Sequence, residues 1–305
     1  MNGPAPGPRS GPAAGRAQAV VGLSGRTLRY AEVARGADGR PRLRRLGAAD
    51  FEFDAERAVF GTDEADGLAS VAEAVAEVFE GAEVDALVVA AHPTVTTAFF
   101  TPLPAGMPEE ARALHLHQEA ALLADVAPTQ AVRVHAAPVR TEQGGREWYQ
   151  VVHVGGPVHV RLSRLADALG APAYDVVDAT HAAARAALAA DPEGAALAVG
   201  AYPTHTEVAF CRGGAFVFGH HGLGTTPADA VYFVLDALRQ VGADAIEVDR
   251  LAVYGDAADG DRLALMAEFL GREPGPLDPF AAFARRPDGD PAELASFASV
   301  VGAAL

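Results

Sequence analysis

Histidines are the main candidates for reactive residues in this 305-residue chain, because an imidazole can bind a metal ion or act as a general acid or base. His115 and His117 lie two positions apart in a segment with a helical pattern, so their side chains point in different directions. His220 and His221 follow a predicted strand, where adjacent residues face opposite sides of a sheet. Neither pair can easily share an ion, and at most one member of the second pair can face a ligand.

The other candidates for catalysis or ligation are isolated in the sequence. His92, His153 and His159 have no cysteine or acidic residue at metal-ligand spacing, so the sequence predicts no metal site. Ser24 lacks the strand–turn–helix context of an activated serine nucleophile. Residues 219–224 (GHHGLG) resemble a phosphate loop in glycine content alone, and they are interpreted as a connection between a strand and a helix.

Composition excludes several classes of function. The single cysteine, Cys211, excludes a disulfide framework and a multi-thiolate metal site, and its apolar surroundings predict a buried core residue. The net charge of −16 argues against a nucleic-acid partner. Arg42, Arg44 and Arg45 form the one basic cluster, which is either an alternating solvated face or a contact for an acidic partner or lipid headgroups.

The termini and the hydropathy pattern predict a cytoplasmic protein. No apolar run reaches the roughly 18 residues that a membrane-spanning helix needs. Residues 1–17 are rich in glycine, proline and alanine and lack the apolar core of a signal peptide, so we expect a disordered tail there.

The predicted strands and helices occur in the same order twice along the chain. The first copy has three strands, a helix whose apolar residues recur at three-four spacing, and a continuous apolar strand. These are predicted at residues 19–23, 27–34, 41–47, 68–80 and 84–91. The second copy begins with three strands in residues 195–224 and continues with a helix capped by Thr226.

This repeat predicts an α/β protein with two lobes. The first lobe is expected at residues 18–192 and the second at residues 193–305. Residues 94–170 have the order β-α-β-β-α and are expected to form an inserted α+β subdomain, a small mixed sheet with two helices.

Two lobes that each read β-β-β-α-β-α resemble the duplicated, ribonuclease-H-like fold of the actin-like and sugar-kinase-like ATPases. Across residues 18–305 the chain resembles more narrowly the family of the type IV pilus assembly protein PilM, and more distantly the cytoplasmic part of the type II secretion platform protein. The segments that carry this resemblance are GLSGRTLRYAEV (22–33), FFTPLPAGMPEEARALHLHQEAALL (99–123), LADALGAPAYDVVDATHAAARAAL (165–188) and PLDPFAAF (276–283).

The chain departs from the nucleotide-binding members of this fold at three places. Their first hairpins begin Asp-x-Gly, whereas here Gly22 and Gly200 replace the acids, and Ser24 and Tyr202 replace the glycines. The segment around Gly255, which corresponds to the adenosine site, carries acids that would repel phosphate. The family's long helical insertion in the second lobe is also missing. These departures predict a pseudo-ATPase without ATP or another cofactor.

The resemblance implies a scaffold of a type IV pilus or a related secretion or motility platform. Such a scaffold binds the cytoplasmic N-terminal tail of a single-span inner-membrane protein, touches the membrane only through that partner, and can contact the assembly ATPase. In the family, the tail binds between the inserted subdomain and the first lobe. The candidate groove residues are Leu114, Gln118, Leu122 and Arg44.

Two other functions stay open from the sequence. One is an active actin-like ATPase or kinase, which would have to bind nucleotide despite the lost acids. The other is a pseudo-enzyme subunit of a different assembly built on the same fold, such as a tRNA-modification complex.

Overall fold

A computed structural model describes residues 17–61, 67–123, 132–142, 144–224, 226–258 and 260–305. Nearly all of the predicted tail, residues 1–17, lies outside the described residues. In the described part, no helix is long and apolar enough to cross a membrane.

The strands of the described residues follow the predicted order along the chain. They are β1 (Ala17–Ser24), β2 (Thr27–Arg35), β3 (Pro41–Asp50), β4 (Val84–Ala91), β5 (Thr97–Pro104), β6 (Val132–Glu142), β7 (Arg146–Gly155), β8 (Tyr174–Asp178), β9 (Ala195–Ala201), β10 (His205–Arg212), β11 (Ala215–Leu223), β12 (Arg250–Tyr254) and β13 (Pro274–Pro276).

The helices of the described residues alternate with these strands. They are α1 (Ala55–Phe60), α2 (Leu68–Val78), α3 (Glu109–Leu123), α4 (Gly156–Leu169), α5 (Ala179–Ala190), α6 (Pro227–Gln240), α7 (Gly260–Leu270), α8 (Pro291–Ala295) and α9 (Ala298–Ala303). A single 3-10 turn spans Ala245–Glu247.

The two lobes contain sheets of the same topology, as the repeat in the sequence predicts. The first lobe has the strand order β3-β2-β1-β4-β8, and the second has the order β11-β10-β9-β12-β13. In each sheet an antiparallel three-stranded meander is extended by parallel strands beside its first strand. The central strands read as continuous apolar runs because helices cover both of their faces.

Helices α5 and α9 pack between the two sheets. Helix α5 is mostly alanine, and its buried side chains join the cores of both lobes. Its small residues allow α9 to cross at short range, where Gly302 lies directly against the backbone of Ala182. These two helices are therefore the main contact between the lobes.

The inserted subdomain differs from the prediction in its sheet and in its second helix. Its sheet has the order β5-β7-β6 with antiparallel pairing throughout, so the predicted mixed sheet is wrong. Helix α3 packs on this sheet through Leu116. Helix α4 instead packs its Leu162 and Leu165 against Val71 and Val75 of α2, in the core of the first lobe. An apolar stripe does not specify which of two neighbouring sheets it covers.

Two helix boundaries have a local cause. Asp54 caps the short helix α1 by accepting a hydrogen bond from the Arg57 amide at 2.8 Å. Helices α8 and α9 are separate, since Phe297 leaves helical geometry with φ −91° and ψ 6°.

The thiol of Cys211 is expected to be unreactive in the folded protein. Its side chain is 0% exposed, and burial raises its pKa to about 12, so almost no thiolate forms at neutral pH. Ellman's reagent should label one thiol per chain in denaturant and essentially none under native conditions. Rapid labelling of the native protein would contradict the buried position.

Candidate functional site

The central strands of both lobes end at one space between the two sheets, the interlobe cleft. Gly22 and Ser24 lie near the end of β1, and His92 directly follows β4. Tyr202 follows β9 and Gly255 follows β12. The rings of His92 and Tyr202, one from each lobe, are 4.6 Å apart between centroids. The ends of these strands therefore place His92 of the first lobe beside Tyr202, a predicted phosphate-loop position of the second.

The glycines of this cleft face protein atoms at close range. A Cβ on Gly22 would lie 2.9 Å from Cγ2 of Val300 in α9. A Cβ on Gly200 would lie 2.7 Å from the ring of Tyr254. Gly255 has φ +91°, and a Cβ there would collide with the carbonyl oxygen at the end of β9. In each case the missing side chain admits another part of the chain.

In the first hairpin turn of each lobe, a backbone amide already donates to an acceptor within the protein. The amide of Gly25, in the β1–β2 turn, donates to Oε2 of Glu56 at 3.1 Å. The amide of Tyr202, in the β9–β10 turn, donates to the carbonyl of His205 at 3.0 Å. A phosphate at these turns would have to displace both partners.

A fully buried polar cluster occupies the centre of the cleft. The carboxylate of Glu207, on β10, accepts hydrogen bonds from His92 Nδ1 at 2.7 Å and His205 Nε2 at 3.2 Å through its Oε1 atom. Its Oε2 atom accepts a hydrogen bond from the Tyr254 hydroxyl at 2.9 Å. The four residues are at most 3% exposed, and we call them the His–Glu cluster.

The cluster holds a charged pair across the two lobes. Burial alone would lower the pKa of His92, but the charge of Glu207 and the hydrogen bond to it outweigh burial and raise that pKa. Burial alone would raise the pKa of Glu207, but the charge of His92 and the hydrogen bonds from both histidines lower it to about 2. His92 of the first lobe is thus paired with an ionised carboxylate of the second.

Aromatic rings fill the space around this pair. The ring of Tyr202 stacks on His205 with centroids 4.7 Å apart and planes at 10°. Burial, followed by the charge of Glu207, raises the pKa of Tyr202 well above its ordinary value, so its hydroxyl stays protonated. The bulky residue that the sequence places at this loop is 2% exposed and lies inside the cleft.

Sequence reasoning missed the His–Glu cluster because its parts are far apart along the chain. His92 has no partner at ligand spacing, yet the fold brings Glu207 to it from 115 positions away. One signal was available. Glu207 is the one carboxylate of strand β10, and a carboxylate on a buried strand requires a buried partner.

A second contact links the lobes at the rim of the cleft. Arg29 of β2 donates from both Nη atoms to the carboxylate of Asp256, at 2.6 and 3.1 Å. The two side chains are 15% and 25% exposed. Asp256 belongs to the acidic segment that was expected to repel phosphate. In the structure the charge of Asp256 is compensated by Arg29.

Replacing Arg29 with methionine is expected to lower the free energy of unfolding by about 1 kcal/mol, since a bidentate, partly buried pair is lost. Hydrogen exchange should also become faster around Asp256. The matched control is Arg239→Met, because Arg239 pairs with Asp236 at 2.9 Å but is 82% exposed. Equal effects of the two substitutions would contradict an interlobe role for Arg29.

The predicted groove residues do not meet in the structure. Leu114 and Leu122 are 60% and 81% exposed on α3, and Gln118 is exposed on the same helix. Arg44 lies on β3 of the first lobe, where it pairs with the buried Glu32 at 3.4 Å. The α3 residues lie together on the exposed side of one helix of the inserted subdomain, whereas Arg44 belongs to a different sheet.

The two histidine pairs also have different surroundings. His115 pairs with Glu119 on the surface of α3 at 3.1 Å, and His117 is exposed. His220 and His221 both line a cavity of about 290 Å³ between β11 and the segment that precedes β5. Burial lowers the pKa of both rings.

A groove of about 170 Å³, which we call the insertion groove, separates the inserted sheet from the first lobe. His135 and Ala137 of β6 line one side, and Val176 of β8 and Arg185 of α5 line the other. His135 Nδ1 lies 2.6 Å from a carboxylate oxygen of Asp175. Its Nε2 atom is buried without a hydrogen-bond partner among the described residues.

Comparisons with known proteins support the fold and leave the family open. No protein-family model and no curated protein matches the sequence. A chain in a solved structure of a PilM-PilN type IV pilus biogenesis complex is similar, with a TM-score of 0.64 and 17% identity over 94% of this chain and 97% of that one. A Bacteroides thetaiotaomicron protein with an actin-like ATPase fold and unknown function has a TM-score of 0.52 and 12% identity, over 86% and 91%. At these identities the similarity shows the fold alone.

The chain thus has the two-lobed actin-like fold that the sequence predicts, and its resemblance to PilM holds at the level of that fold.

Proposed function

We propose that this chain is a scaffold that binds a short peptide segment of a membrane-anchored partner and carries out no nucleotide chemistry. The observation that carries the proposal is the insertion groove, an opening between the inserted sheet and the first lobe. Similarity across almost the whole length of a chain in a PilM-PilN complex supports a place in a pilus or related secretion platform. The protein would then be cytoplasmic and reach the inner membrane through its partner.

The groove has the chemistry that an extended peptide requires. Strand β6 is the edge of the inserted sheet, where an extended segment can add main-chain hydrogen bonds. On the facing strand β8, the Val176 amide already donates to Asp175 at 2.9 Å. His135 and Arg185 line the groove with polar side chains, and Ala137 leaves room for a side chain.

The filled cleft supports the absence of nucleotide chemistry. Actin-like ATPases hold phosphate between the two hairpin turns, and here Glu56 and the carbonyl of His205 bond the turn amides. The His–Glu cluster and Tyr202 occupy the space between them. Binding of ATP would require these buried groups to separate and to lose their partners.

Peptide binding to full-length protein tests the proposal. The probes are synthetic N-terminal cytoplasmic segments of single-span membrane proteins that are encoded beside this chain, measured by fluorescence anisotropy. We expect one of them to bind and the variant Ala137→Arg, which fills the groove, to weaken binding at least about tenfold. No binding by any such segment would overturn the proposal.

A second variant separates the groove from the α3 face that the sequence predicts. Leu122→Arg changes an 81% exposed residue outside the groove and is expected to leave the affinity unchanged. If Leu122→Arg weakens binding while Ala137→Arg does not, the peptide binds on α3 and the groove is not its site.

A thermal-shift titration with Mg-ATP tests the absence of nucleotide binding. We expect no change in Tm, since a ligand that binds only the folded state would raise it with concentration. A concentration-dependent rise would favour an active actin-like ATPase or kinase instead.

A further inference from the structure

We propose that His92, His205 and Glu207 form a binding site for one divalent transition-metal ion of the zinc type, which joins the two lobes. Their ligand atoms, two imidazole nitrogens and a carboxylate oxygen, all lie within 4.8 Å of one another. All three side chains are buried, and they come from both lobes. This site is independent of the insertion groove and of the peptide proposed to bind there.

The donor set matches the ligand chemistry of zinc. Zinc sites in proteins use imidazole nitrogen and carboxylate oxygen, and sites with two histidines and one glutamate are established among them. Metal–nitrogen distances of about 2.0–2.1 Å in a tetrahedron place ligand atoms roughly 3.3 Å apart. His205 Nε2 already lies 3.2 Å from Glu207 Oε1, and His92 Nδ1 lies 2.7 Å from it. The separation of 2.7 Å is shorter than this, so the His92 ring would have to move away from Glu207 when an ion binds.

The residues around the ligands orient them as metal sites require. The Tyr254 hydroxyl donates to Oε2 of Glu207 at 2.9 Å, which leaves Oε1 directed at the two imidazoles. Thr204 Oγ1 lies 3.1 Å from His205 Nδ1, on the far side of the ring from Nε2. Partners of this kind fix the tautomer and the ring orientation of metal ligands.

Metal binding also fits the charge of the site. Among the described residues, the ion-pair partners of Glu207 are the two imidazoles. Histidine binds a metal as a neutral imidazole, so an ion would displace the proton that pairs His92 with Glu207. The charge of the ion would then compensate the buried carboxylate in place of that proton.

Metal binding to the full-length chain, prepared without a histidine tag, tests the proposal. The protein is depleted of metal with EDTA, dialysed and titrated with Zn²⁺ and with Co²⁺. We expect one equivalent of Zn²⁺ to bind, a rise in Tm with Zn²⁺ concentration, and the intense visible bands of tetrahedral Co²⁺. Wild-type protein that retains no metal and shows no rise in Tm would overturn the proposal.

Variants locate the ion. His92→Gln and His205→Gln are each expected to weaken Zn²⁺ binding at least about 100-fold, more than the loss of an outer partner costs. Tyr254→Phe keeps the ring that packs in the cleft, and should weaken binding about tenfold. The control combines His115→Gln with His117→Gln on the surface of α3. Loss of Zn²⁺ binding in this control, with full binding in His205→Gln, would overturn the proposed site. If a buried variant fails to fold, the wild-type titration still tests the proposal.

Discussion

The variant Gly302→Ala is expected to lose about 3 kcal/mol of unfolding free energy, because it adds an atom where two helices already touch. Gly302 is on α9, and a Cβ there would overlap the backbone carbonyl of Ala182 on α5. Both helices lie between the two sheets, so neither can move away without opening a core on its other side. Urea unfolding monitored by circular dichroism measures the loss.

A glycine in open space provides the matched control. Gly260 begins α7, and apart from its chain neighbours and its own helix, no atom of the described residues lies within 4 Å of a Cβ built on it. Gly260→Ala should keep the stability or raise it by up to about 1 kcal/mol, because alanine is the better helix former. If both substitutions have the same effect, the α5–α9 crossing does not limit the packing of the lobes.

Removing the carboxylate of Glu207 is expected to cost at least about 3 kcal/mol. In Glu207→Leu, the buried donors of His92, His205 and Tyr254 lose their acceptor, and each unsatisfied donor costs about 1–3 kcal/mol. The figure agrees with the cost of breaking a buried ion pair on one side. Urea unfolding in the presence of EDTA measures this term apart from any bound metal.

A surface pair of the same residue types is the control for Glu207→Leu. Glu119 pairs with His115 at 3.1 Å, with side chains 31% and 45% exposed. Glu119→Leu should change the unfolding free energy by less than about 1 kcal/mol, since water replaces the lost partner. A loss as large as that of Glu207→Leu would show that burial does not control the strength of the central pair.

Much of the secondary structure could be predicted from the sequence. Strand β4 has the predicted bounds, because a continuous apolar run is a local pattern. The repeated order of elements also predicted the two lobes. The resemblance that implied an actin-like fold agrees with the solved structures that are similar.

The candidate site could be predicted only in part. Gly22, Gly200 and Tyr202 were identified as departures from a phosphate loop, since the spacing of a hairpin motif is visible in the sequence. The side chains that fill the cleft could not be predicted from the sequence. The side chains that face each other across the cleft come from strands of different lobes.

Most helices and strands, their repeat and the loss of the acidic loop residues were predictable from the sequence, because these features depend on neighbours within a few positions. Three features are specified only by the tertiary structure. Glu207 contacts His92, α4 packs on the first lobe, and α3 packs on a different sheet from the one that contains Arg44. These contacts depend on how the two sheets pack around α5 and α9. That packing brings together residues more than a hundred positions apart, and no local pattern specifies it.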